Sequence, residues 1–545
     1  MRLADLIREF DARPGLGFSG ATVGSTAGRW ADLVVRDLTD DSRAVTPGML
    51  FVARRGADPK QDPGRFVPQA LDNGAAAVLA EPGVLRDHAG LFENNNAVGV
   101  EADVVDTALA SRAAHAVLGR PSHKLAVLGI TGTNGKSTTA MLTRHLLAAG
   151  GVKAGLIGTI ETDTGGPEGP RVSELTTPGP VETVRRLAEM VRHGCAAAVM
   201  EVSSHALHQG RCAALRFAAA CLTNLTQDHL DYHGTMEAYA DAKAILFSML
   251  PEDATAVVNA DDPWAGRIAQ GCKARRMYTR LQDGQDDVEP GALVASIGRL
   301  GIEGADVRWH GPEPGRVVEA RLPLIGRFNV ANATQALALA RAAVELDDPL
   351  AAVALRGCPQ TPGRVERVKA AAVDLEKPVS DGPTVFVDYA HTPDALDNVG
   401  QALGPLARAS GMETDGETGR LITVFGCGGD RDRAKRPLMM QAALRHADVV
   451  WLTSDNPRTE DPQQILGDAL AGVDSDSQNS EKEVRVDIDR ALAIRRAIAE
   501  ASPGDTVLIA GKGHEDYQVV SDGRGGSVKA HFDDREHAAQ ALAAR

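Results

Sequence analysis

The sequence is poor in aromatic side chains, in basic relative to acidic charge, and in long hydrophobic runs. Phe, Trp and Tyr make up 4% of the 545 residues, so we expect cores built mainly from Ala, Val and Leu. The chain has 58 Lys and Arg against 73 Asp and Glu, a net charge of −15. This balance argues against nucleic-acid binding, which needs a basic surface. No run approaches the roughly 18 apolar residues of a membrane span, so no membrane insertion is predicted.

Cysteine is also scarce, and none of it occurs in a CxxC pair. The six cysteines stand at 195, 212, 221, 272, 358 and 427. Scattered thiols predict reduced cysteines in a cytoplasmic protein. The first segment, MRLADLIREF, carries charges and lacks the apolar centre of a signal peptide, so it predicts a short amphipathic helix.

Residues 124–139, KLAVLGITGTNGKSTT, contain the clearest functional pattern. An apolar run leads into a Gly-rich turn, which is followed by Lys136, two hydroxyl residues and a helical pattern. Such a loop can direct backbone N–H groups and a helix N-terminus at phosphate oxygens. Lys136 would reach the terminal phosphates of ATP, and Ser137 or Thr138 would bind Mg²⁺. The match departs from the general P-loop pattern at Ile130, where that pattern has its first glycine.

Apolar strand patterns alternate with helical patterns through most of the chain, which favours an α/β fold with parallel sheets. These runs lie at 125–131, 197–204, 219–226, 254–262, 384–391, 421–429, 449–458 and 506–515. Many end in polar or Gly-rich loops, and ligands collect at the carboxyl ends of such strands. The segments 118–124 and 357–364 have the turn chemistry of linkers, and 376–383, 411–419 and 474–483 read as exposed insertions.

The string TGTNGKSTT (131–139) resembles the P-loop of the Mur ligases of peptidoglycan synthesis. Further strings follow in the order of that family: DSR (41–43), TTP (176–178), EVSSHAL (201–207), TNLTQDHLDYHG (223–234), AYADAK (238–243), GRFNVANATQA (326–336), PGRVER (362–367), VDYAHTPDAL (387–396), FGCGGDRDRAKRP (425–437), DNPRTEDP (455–462) and GKGHEDYQ (511–518). The resemblance covers nearly the whole chain.

The resemblance implies a three-domain Mur ligase fold with a central P-loop ATPase-like parallel-sheet domain and a C-terminal Rossmann-like domain. It places a UDP-substrate-binding domain at 1–120, an ATP-binding domain at 121–361 and an amino-acid-binding domain at 362–545. It is strongest to the members that add meso-diaminopimelate to UDP-N-acetylmuramoyl-L-alanyl-D-glutamate. ATP and Mg²⁺ are the implied co-substrate and metal, and a monomer is implied.

In that family, ATP phosphorylates a substrate carboxylate and an incoming amine then displaces phosphate. The implied catalytic residues are Lys136, Glu201, His229 and Lys243. Ser137, Glu201, His229 and a carbamylated Lys243 are the implied metal ligands. Carbamylation requires a neutral amine, which a buried lysine reaches through a lowered pKa. Taken alone, Glu201 could be a surface carboxylate at a strand end and Lys243 a solvated helix charge.

The resemblance also implies which residues contact each of the three ligands. ATP contacts are Gly132, Thr133, Asn134, Gly135, Lys136, Ser137, Thr138, Asn329, Asn332, Arg364 and Asp388. Contacts to the nucleotide-peptide are Ser42, Thr176, Thr177, Ser203, Gln209 and Arg211. Diaminopimelate contacts are Arg431, Asp455, Asn456, Pro457, Arg458, Gly511 and Glu515. The loop at 56–66 is longer than the family pattern, which leaves its uridine contacts unassigned.

Arg458 is implied to select the amino acid, because it can pair with the distal carboxylate that diaminopimelate has and lysine lacks. Glu515 would receive the distal ammonium. The alternative for Arg458 is a guanidinium that caps the turn after Pro457.

Four other interpretations use the same residues. His229 and His233, four apart on a helix, could bind zinc, although no third ligand lies nearby. A folylpolyglutamate synthetase or another Mur ligase would share the P-loop but not DNPR and GKGHEDYQ. A catalytically silent binding subunit would have lost some of the four catalytic residues. A simple P-loop kinase or ATPase would leave the C-terminal motifs unexplained.

Overall fold

The computed structural model describes residues 1–10, 12–14, 32–56, 62–283, 291–313, 315–370, 382–414, 418–473 and 482–545. Within them, the strands form three large sheets and one hairpin. Residues 57–61 of the long loop at 56–66, and much of the predicted insertions at 376–383, 411–419 and 474–483, lie outside the described residues. No described helix has the length and apolar character needed to cross a membrane.

The first sheet has the order β1-β5-β4-β3-β2, with β1 antiparallel and the other neighbours parallel. The predicted amphipathic helix at the start of the chain is confirmed, since α1 buries Leu3, Leu6 and Ile7. The elements of this part are α1 Leu3–Glu9, β1 Arg13–Pro14, β2 Leu38–Thr39, β3 Leu50–Val52, α2 Val67–Asp72, β4 Ala77–Ala80, α3 Pro82–Asp87, α4 Ala89–Asn94, β5 Val98–Glu101 and α5 Thr107–Val117.

The second sheet has eleven described strands in the order β16-β15-β14-β13-β12-β11-β6-β10-β7-β8-β9. Its seven inner strands, from β14 to β7, run parallel, and both edges are antiparallel. Its elements are β6 Ala126–Thr131, α6 Lys136–Ala149, β7 Ala154–Ile157, β8 Glu161–Asp163, β9 Arg171–Val172, α7 Pro180–Arg192, β10 Ala197–Glu201, α8 Ser204–His208, β11 Ala219–Leu222, α9 Leu230–His233, α10 Met236–Ser248, β12 Thr255–Asn259, α11 Ala265–Ile268, β13 Arg275–Asp283, β14 Ala292–Gly301, β15 Gly304–His310, β16 Val317–Leu322, α12 Arg327–Ala343 and α13 Asp348–Arg356.

The alternation of strand side chains buries both faces of this sheet. Along β6, Val127 enters one apolar cluster, whereas Leu128 and Ile130 enter the other. Helix α6 packs on the second face through residues such as Leu146, and α7 packs on the first through residues such as Leu187. The central strand β6 is therefore rigidly held, which fixes the loop that follows it.

The third sheet has the order β17-β18-β22-β19-β20-β21, parallel except for β17. Its elements, with the separate hairpin β23–β24, are β17 Glu366–Val368, β18 Thr384–Asp388, α14 Pro393–Thr414, β19 Leu421–Cys427, α15 Lys435–His446, β20 Val449–Ser454, α16 Pro462–Leu470, β21 Glu483–Val486, α17 Arg490–Glu500, β22 Thr506–Ala510, β23 Tyr517–Ser521, β24 Ser527–His531 and α18 Asp534–Ala543. The predicted α/β class is confirmed, and the domain boundaries at 120 and 361 stay predictions.

The segment 118–124, predicted as a linker from its turn chemistry, is partly buried. Pro121 and Ser122 are buried in a short 3₁₀ helix. The Ser122 hydroxyl lies 2.7 Å from Nε2 of the buried His115 and accepts a hydrogen bond from the Arg216 backbone N–H. The connection between the first two sheets is thus part of the packed interior.

Candidate functional site

The Gly-rich loop at the end of β6 has the backbone form that the sequence predicts. Gly132 has φ +147° and Gly135 has φ +82°, and α6 begins directly afterwards. The Lys136 ammonium folds back over the loop and donates to the Gly132 and Thr133 carbonyls at 3.0 and 2.8 Å. Burial lowers the pKa of Lys136 although the Glu201 carboxylate opposes the shift. A phosphate would offer this lysine a far better partner than two carbonyls do.

A second loop, residues 223–226 after β11, clamps the Gly-rich loop from one side. Thr223 Oγ1 donates to the Asn134 carbonyl at 2.6 Å, and the Asn134 N–H donates to Asn224 Oδ1 at 2.9 Å. The Thr133 N–H donates to the Asn224 carbonyl at 2.8 Å. The predicted ATP contacts Thr133 and Asn134 are therefore held in place by Thr223 and Asn224, which sequence reasoning did not single out. Their position in the TNLT string was the available signal.

We expect Gly132→Ala to abolish nucleotide binding and Gly151→Ala to preserve it. A Cβ on Gly132 would collide with Thr223 Oγ1, whereas one on Gly151 would meet open space, and both glycines have positive φ. Both variants carry backbone strain from a positive φ, +147° at Gly132 and +77° at Gly151, and Gly132→Ala adds the collision to it. Calorimetric titration with ADP would measure the difference, and equal affinities would contradict the clamp.

Lys243 lies beneath the same loop and is not the solvated charge that a lone helix lysine suggests. It is 1% exposed. Its ammonium nitrogen is 2.8 Å from the Gly132 carbonyl and 4.4 Å from the centre of the Tyr239 ring. Burial, followed by repulsion from Lys136, holds the pKa of Lys243 well below its ordinary value. This shift favours the neutral amine that carbamylation needs.

Glu201 ends β10 and is 2% exposed, so the interpretation as a surface carboxylate is wrong. It pairs in register with Ile130 of β6, one strand from the Gly-rich loop. Its carboxylate accepts hydrogen bonds from the N–H and hydroxyl of Thr159 at 2.8 and 3.0 Å. Thr159 was not predicted, and it orients a carboxylate that faces the loop lysine.

The zinc interpretation of His229 and His233 is wrong. His229 has φ +53° and stands before the four-residue helix α9, so the two imidazoles do not share a helix face. The His229 ring instead packs edge-on against His205 at 4.8 Å between centroids. Burial lowers the pKa of the His205 and His229 imidazoles, and it lowers the pKa of His233 to about 4. In the described chain no group of three or more His, Cys, Asp or Glu side chains is arranged to hold a metal.

Asn329 and Asn332 of α12 support the start of α6. Asn329 Oδ1 accepts from the Asn332 amide at 3.1 Å, and Asn332 Oδ1 accepts from Thr139 Oγ1 at 3.4 Å. A Cβ on Gly135 would collide with Asn332 Oδ1. Both asparagines are 4% exposed. Their amides therefore support the Gly-rich loop, and their predicted contact with ATP stays a prediction.

Arg364 and Asp388 belong to the C-terminal part of the chain. Arg364 lies over the Tyr389 ring at 4.7 Å and is close enough to Lys136 to lower its pKa. The buried Asp388 carboxylate accepts from the Val365 and Ala390 N–H groups at 2.8 Å each. A Cβ on Gly363 would collide with the backbone of Gly513 and His514. Arg364 thus reaches the loop lysine, and Asp388 shapes the turn that carries Arg364.

Five of the six predicted nucleotide-peptide contacts gather around the end of β10. Thr177 Oγ1 donates to the Glu201 carbonyl and accepts from the Ser203 N–H. The Arg211 guanidinium donates to Gln209 Oε1 and to the Thr177 carbonyl. Thr176 lies 3.0 Å from Thr159, hydroxyl to hydroxyl. Ser42, the sixth, is buried in the first part of the chain and donates to Gln69.

The predicted diaminopimelate residues lie on the loops that follow β19, β20 and β22. Arg458 has φ +54°, and its guanidinium donates to the Gly429 carbonyl of the loop after β19 at 2.7 Å and to the Asn456 carbonyl at 3.5 Å. Asn456 Nδ2 donates to Glu515 Oε2 at 3.2 Å. Gly511 has φ +121° and packs near Asp455, Pro457 is buried, and Arg431 is exposed. Both hydrogen bonds use one guanidinium nitrogen, which leaves the other edge of Arg458 available to a carboxylate.

The sequence of this chain matches the models of a known protein family. The Mur ligase middle domain model matches residues 130–340, and the Mur ligase glutamate ligase domain model matches residues 363–513. The UDP-N-acetylmuramoyl-L-alanyl-D-glutamate–2,6-diaminopimelate ligase of Synechococcus elongatus is 44% identical over 94% of this chain and 95% of its own length. That of Gloeobacter violaceus is 42% identical over 94% and 95%.

Solved structures of the same family have a similar fold. A UDP-N-acetylmuramoyl-L-alanyl-D-glutamate–2,6-diaminopimelate ligase superposes with a TM-score of 0.63 at 31% identity, covering 95% of this chain and 96% of that one. A Mycobacterium tuberculosis folylpolyglutamate synthase complexed with ADP and AMPPCP shares the fold, with a TM-score of 0.54 at 20% identity over 74% and 92%. The chain therefore belongs to the Mur ligase family, and within it to the UDP-N-acetylmuramoyl-L-alanyl-D-glutamate–2,6-diaminopimelate ligases.

Proposed function

We propose that this ATP-dependent ligase joins meso-diaminopimelate to the D-glutamate of UDP-N-acetylmuramoyl-L-alanyl-D-glutamate through an acyl phosphate. The names of the relatives supply the substrates. The observation that carries the proposal is the meeting of the Gly-rich loop, the buried Glu201 carboxylate and the buried Lys243 amine at one edge of the central sheet. Transfer of a phosphoryl group needs this concentration of phosphate-binding and charge-stabilising groups more than it needs a protein nucleophile.

The chain's own residues would position and activate the reactants as follows. Loop N–H groups and Lys136 hold the terminal phosphates of ATP, so that the γ-phosphate faces the substrate carboxylate. Arg364, brought by the C-terminal part of the chain, adds positive charge beside Lys136. A closed site excludes water, which would otherwise hydrolyse the acyl phosphate.

Mg²⁺ fits the donor groups at this edge. Ser137 and Glu201 offer a hydroxyl and a carboxylate, the oxygen ligands that Mg²⁺ prefers. Lys243 would add the oxygens of a carbamate. His229 lies at the end of the loop that follows β11, directly before α9. When bound, the metal would neutralise charge on the transferring phosphoryl group.

Arg211 supports the site for the anionic nucleotide-peptide. Its guanidinium donates to Gln209 Oε1 and to the Thr177 carbonyl, whereas Arg54 of the first part of the chain already pairs with Asp40 at 2.6 Å. A substrate carboxylate or phosphate would give Arg211 a stronger partner than these neutral oxygens. We assign residues 1–120 to the UDP-substrate, 121–361 to ATP and 362–545 to the amino acid, as the family resemblance implies.

The proposal is tested by ATP-dependent phosphate release with UDP-N-acetylmuramoyl-L-Ala-D-Glu and either meso-diaminopimelate or L-lysine. We expect turnover with meso-diaminopimelate and little with L-lysine. Turnover with L-lysine alone would retain the ligase but remove Arg458 as selector. Release that depends on neither amino acid would leave a nucleotide-binding ATPase.

Arg458→Met is expected to raise the KM for meso-diaminopimelate by about 10–100-fold, since a desolvated carboxylate would lose a charged partner worth roughly 1.5–3 kcal/mol. The KM values for ATP and the nucleotide-peptide should stay unchanged in steady-state assays. Arg524→Met, an exposed arginine in the turn of the hairpin β23–β24, is the matched control. An unchanged KM in Arg458→Met would support the capping role alone.

A further inference from the structure

Lys512 is a buried cation that none of the assignments above uses. It stands between Gly511 and Gly513 after β22, and its side chain is fully buried. Its ammonium nitrogen lies 3.1 Å from Asn456 Oδ1, 3.5 Å from Glu515 Oε2 and 3.6 Å from Asp455 Oδ1. A buried lysine is costly unless opposite charges surround it, so these contacts indicate a specific role.

The three partners of Lys512 come from two loops that both carry proposed amino-acid contacts. Asp455 and Asn456 follow β20, and Glu515 follows β22. Asn456 Oδ1 also accepts from the Val519 N–H of the hairpin at 2.9 Å. One ammonium group therefore joins the two loops and the hairpin around the proposed amino-acid pocket.

The charges around Lys512 do not balance. Asp455 and Glu515 contribute two carboxylates to a single lysine, and the buried Asp455 Oδ1 accepts no hydrogen bond from the described residues. The neighbouring buried cation Arg490 is already paired with Asp534 at 2.7 Å through two parallel hydrogen bonds. Lys512 can neutralise only one of these two carboxylates, and an ammonium group on the incoming amino acid would match the other.

We propose that Lys512 positions Asn456 and Glu515 and neutralises one of the two carboxylates beside it, so that the other stays directed at the distal ammonium of the incoming amino acid. The inference rests on the proposed function. Without Lys512, Asp455 and Glu515 would repel each other, and Glu515 would lose the contact that orients its carboxylate toward the ligand. Lys512 acts through its neighbours and is a positioning residue.

The test is a steady-state comparison of Lys512→Met with the control Lys529→Met. Both lysines face the Tyr517 ring, at 5.6 and 4.0 Å, but Lys529 is exposed. We expect Lys512→Met to raise the KM for meso-diaminopimelate by about tenfold or more, as when one partner of a buried charged pair is removed. The kcat and the KM values for ATP and the nucleotide-peptide should be unchanged, and Lys529→Met should match the wild type.

A double-mutant cycle with Glu515→Gln separates positioning from general support of the fold. If Lys512 acts through Glu515, adding Lys512→Met to Glu515→Gln should change the KM for meso-diaminopimelate little, whereas independent effects would multiply. The double variant removes one charge of each sign, so it stays informative if Lys512→Met alone fails to fold. Multiplying effects, or a lowered kcat with an unchanged KM, would overturn the inference. Loss of amino-acid dependence in the wild type would instead refute the proposed function.

Discussion

Lys243→Met should lower the ligation rate by about a hundredfold to a thousandfold, the usual cost of removing one electrostatic group from an active site. The methionine side chain fills similar space but cannot carry a carbamate. Burial holds the pKa of Lys243 well below its ordinary value, which favours the neutral amine that reacts with CO₂. The product would be an anion beside the Gly-rich loop, where it can bind a metal ion.

Two controls keep this result specific. Lys273→Met changes an exposed lysine of the same sheet domain and should leave the rate unchanged. Wild-type enzyme freed of CO₂ should lose activity and regain it with bicarbonate, whereas Lys243→Met should not respond. Full activity of Lys243→Met would exclude the carbamate and leave Lys243 as a structural lysine against Gly132.

Arg490→Met should reduce the unfolding free energy of the C-terminal sheet by about 3–5 kcal/mol, the cost of leaving one member of a buried ion pair alone. Arg490 and Asp534 are both fully buried, and Arg490 also donates to the Ala510 carbonyl at 3.0 Å. Hydrogen exchange of the β20 and β22 amides would measure the loss locally, since a multidomain chain does not unfold in one step.

The matched control is Arg496→Met on the same helix, α17. Arg496 pairs with Asp487 at 2.7 Å, but its side chain is 55% exposed, so the loss should be below about 1 kcal/mol. Replacing Arg490 and Asp534 together with apolar residues should recover most of the stability, because no buried charge is then left unpaired. Equal losses for the two arginine variants would contradict this account.

The strands that carry the site could be predicted because they are short, continuously apolar and bounded by Gly or polar residues. Strands β6, β10, β11, β12, β18, β19, β20 and β22 all lie where the sequence placed them. The strands β13 to β16 were not predicted. Strand β16, VVEARL, alternates exposed and buried residues and carries two charges, so its sequence resembles a loop. Strand β14 instead begins with six consecutive buried residues.

Site residues could be predicted from the sequence where a short motif contains them, but not where their role depends on contacts with residues far away in the chain. The Gly-rich loop has a sequence pattern of its own, so Lys136 could be assigned from its neighbours. The hydrogen bonds of Thr159 to Glu201 and of Thr223 to Asn134 join residues far apart in the chain. The burial of Lys243 and Lys512 is likewise a property of the folded chain, because their partners Gly132 and Asn456 lie 111 and 56 residues away.

The close approach of Gly363 to Gly513 and His514 joins the start of the C-terminal part to the loop that follows β22. Arg364 follows Gly363 on one side of this contact and Glu515 follows His514 on the other; the Asp388 carboxylate accepts from the Val365 N–H, and the Tyr389 ring packs on Arg364. If the third sheet moves relative to the second, this contact would place the pivot before Gly363. A single swing of the C-terminal part would deliver the arginine to ATP and the amino-acid pocket to the acyl phosphate together, so nucleotide capture and amine delivery would be timed by one movement.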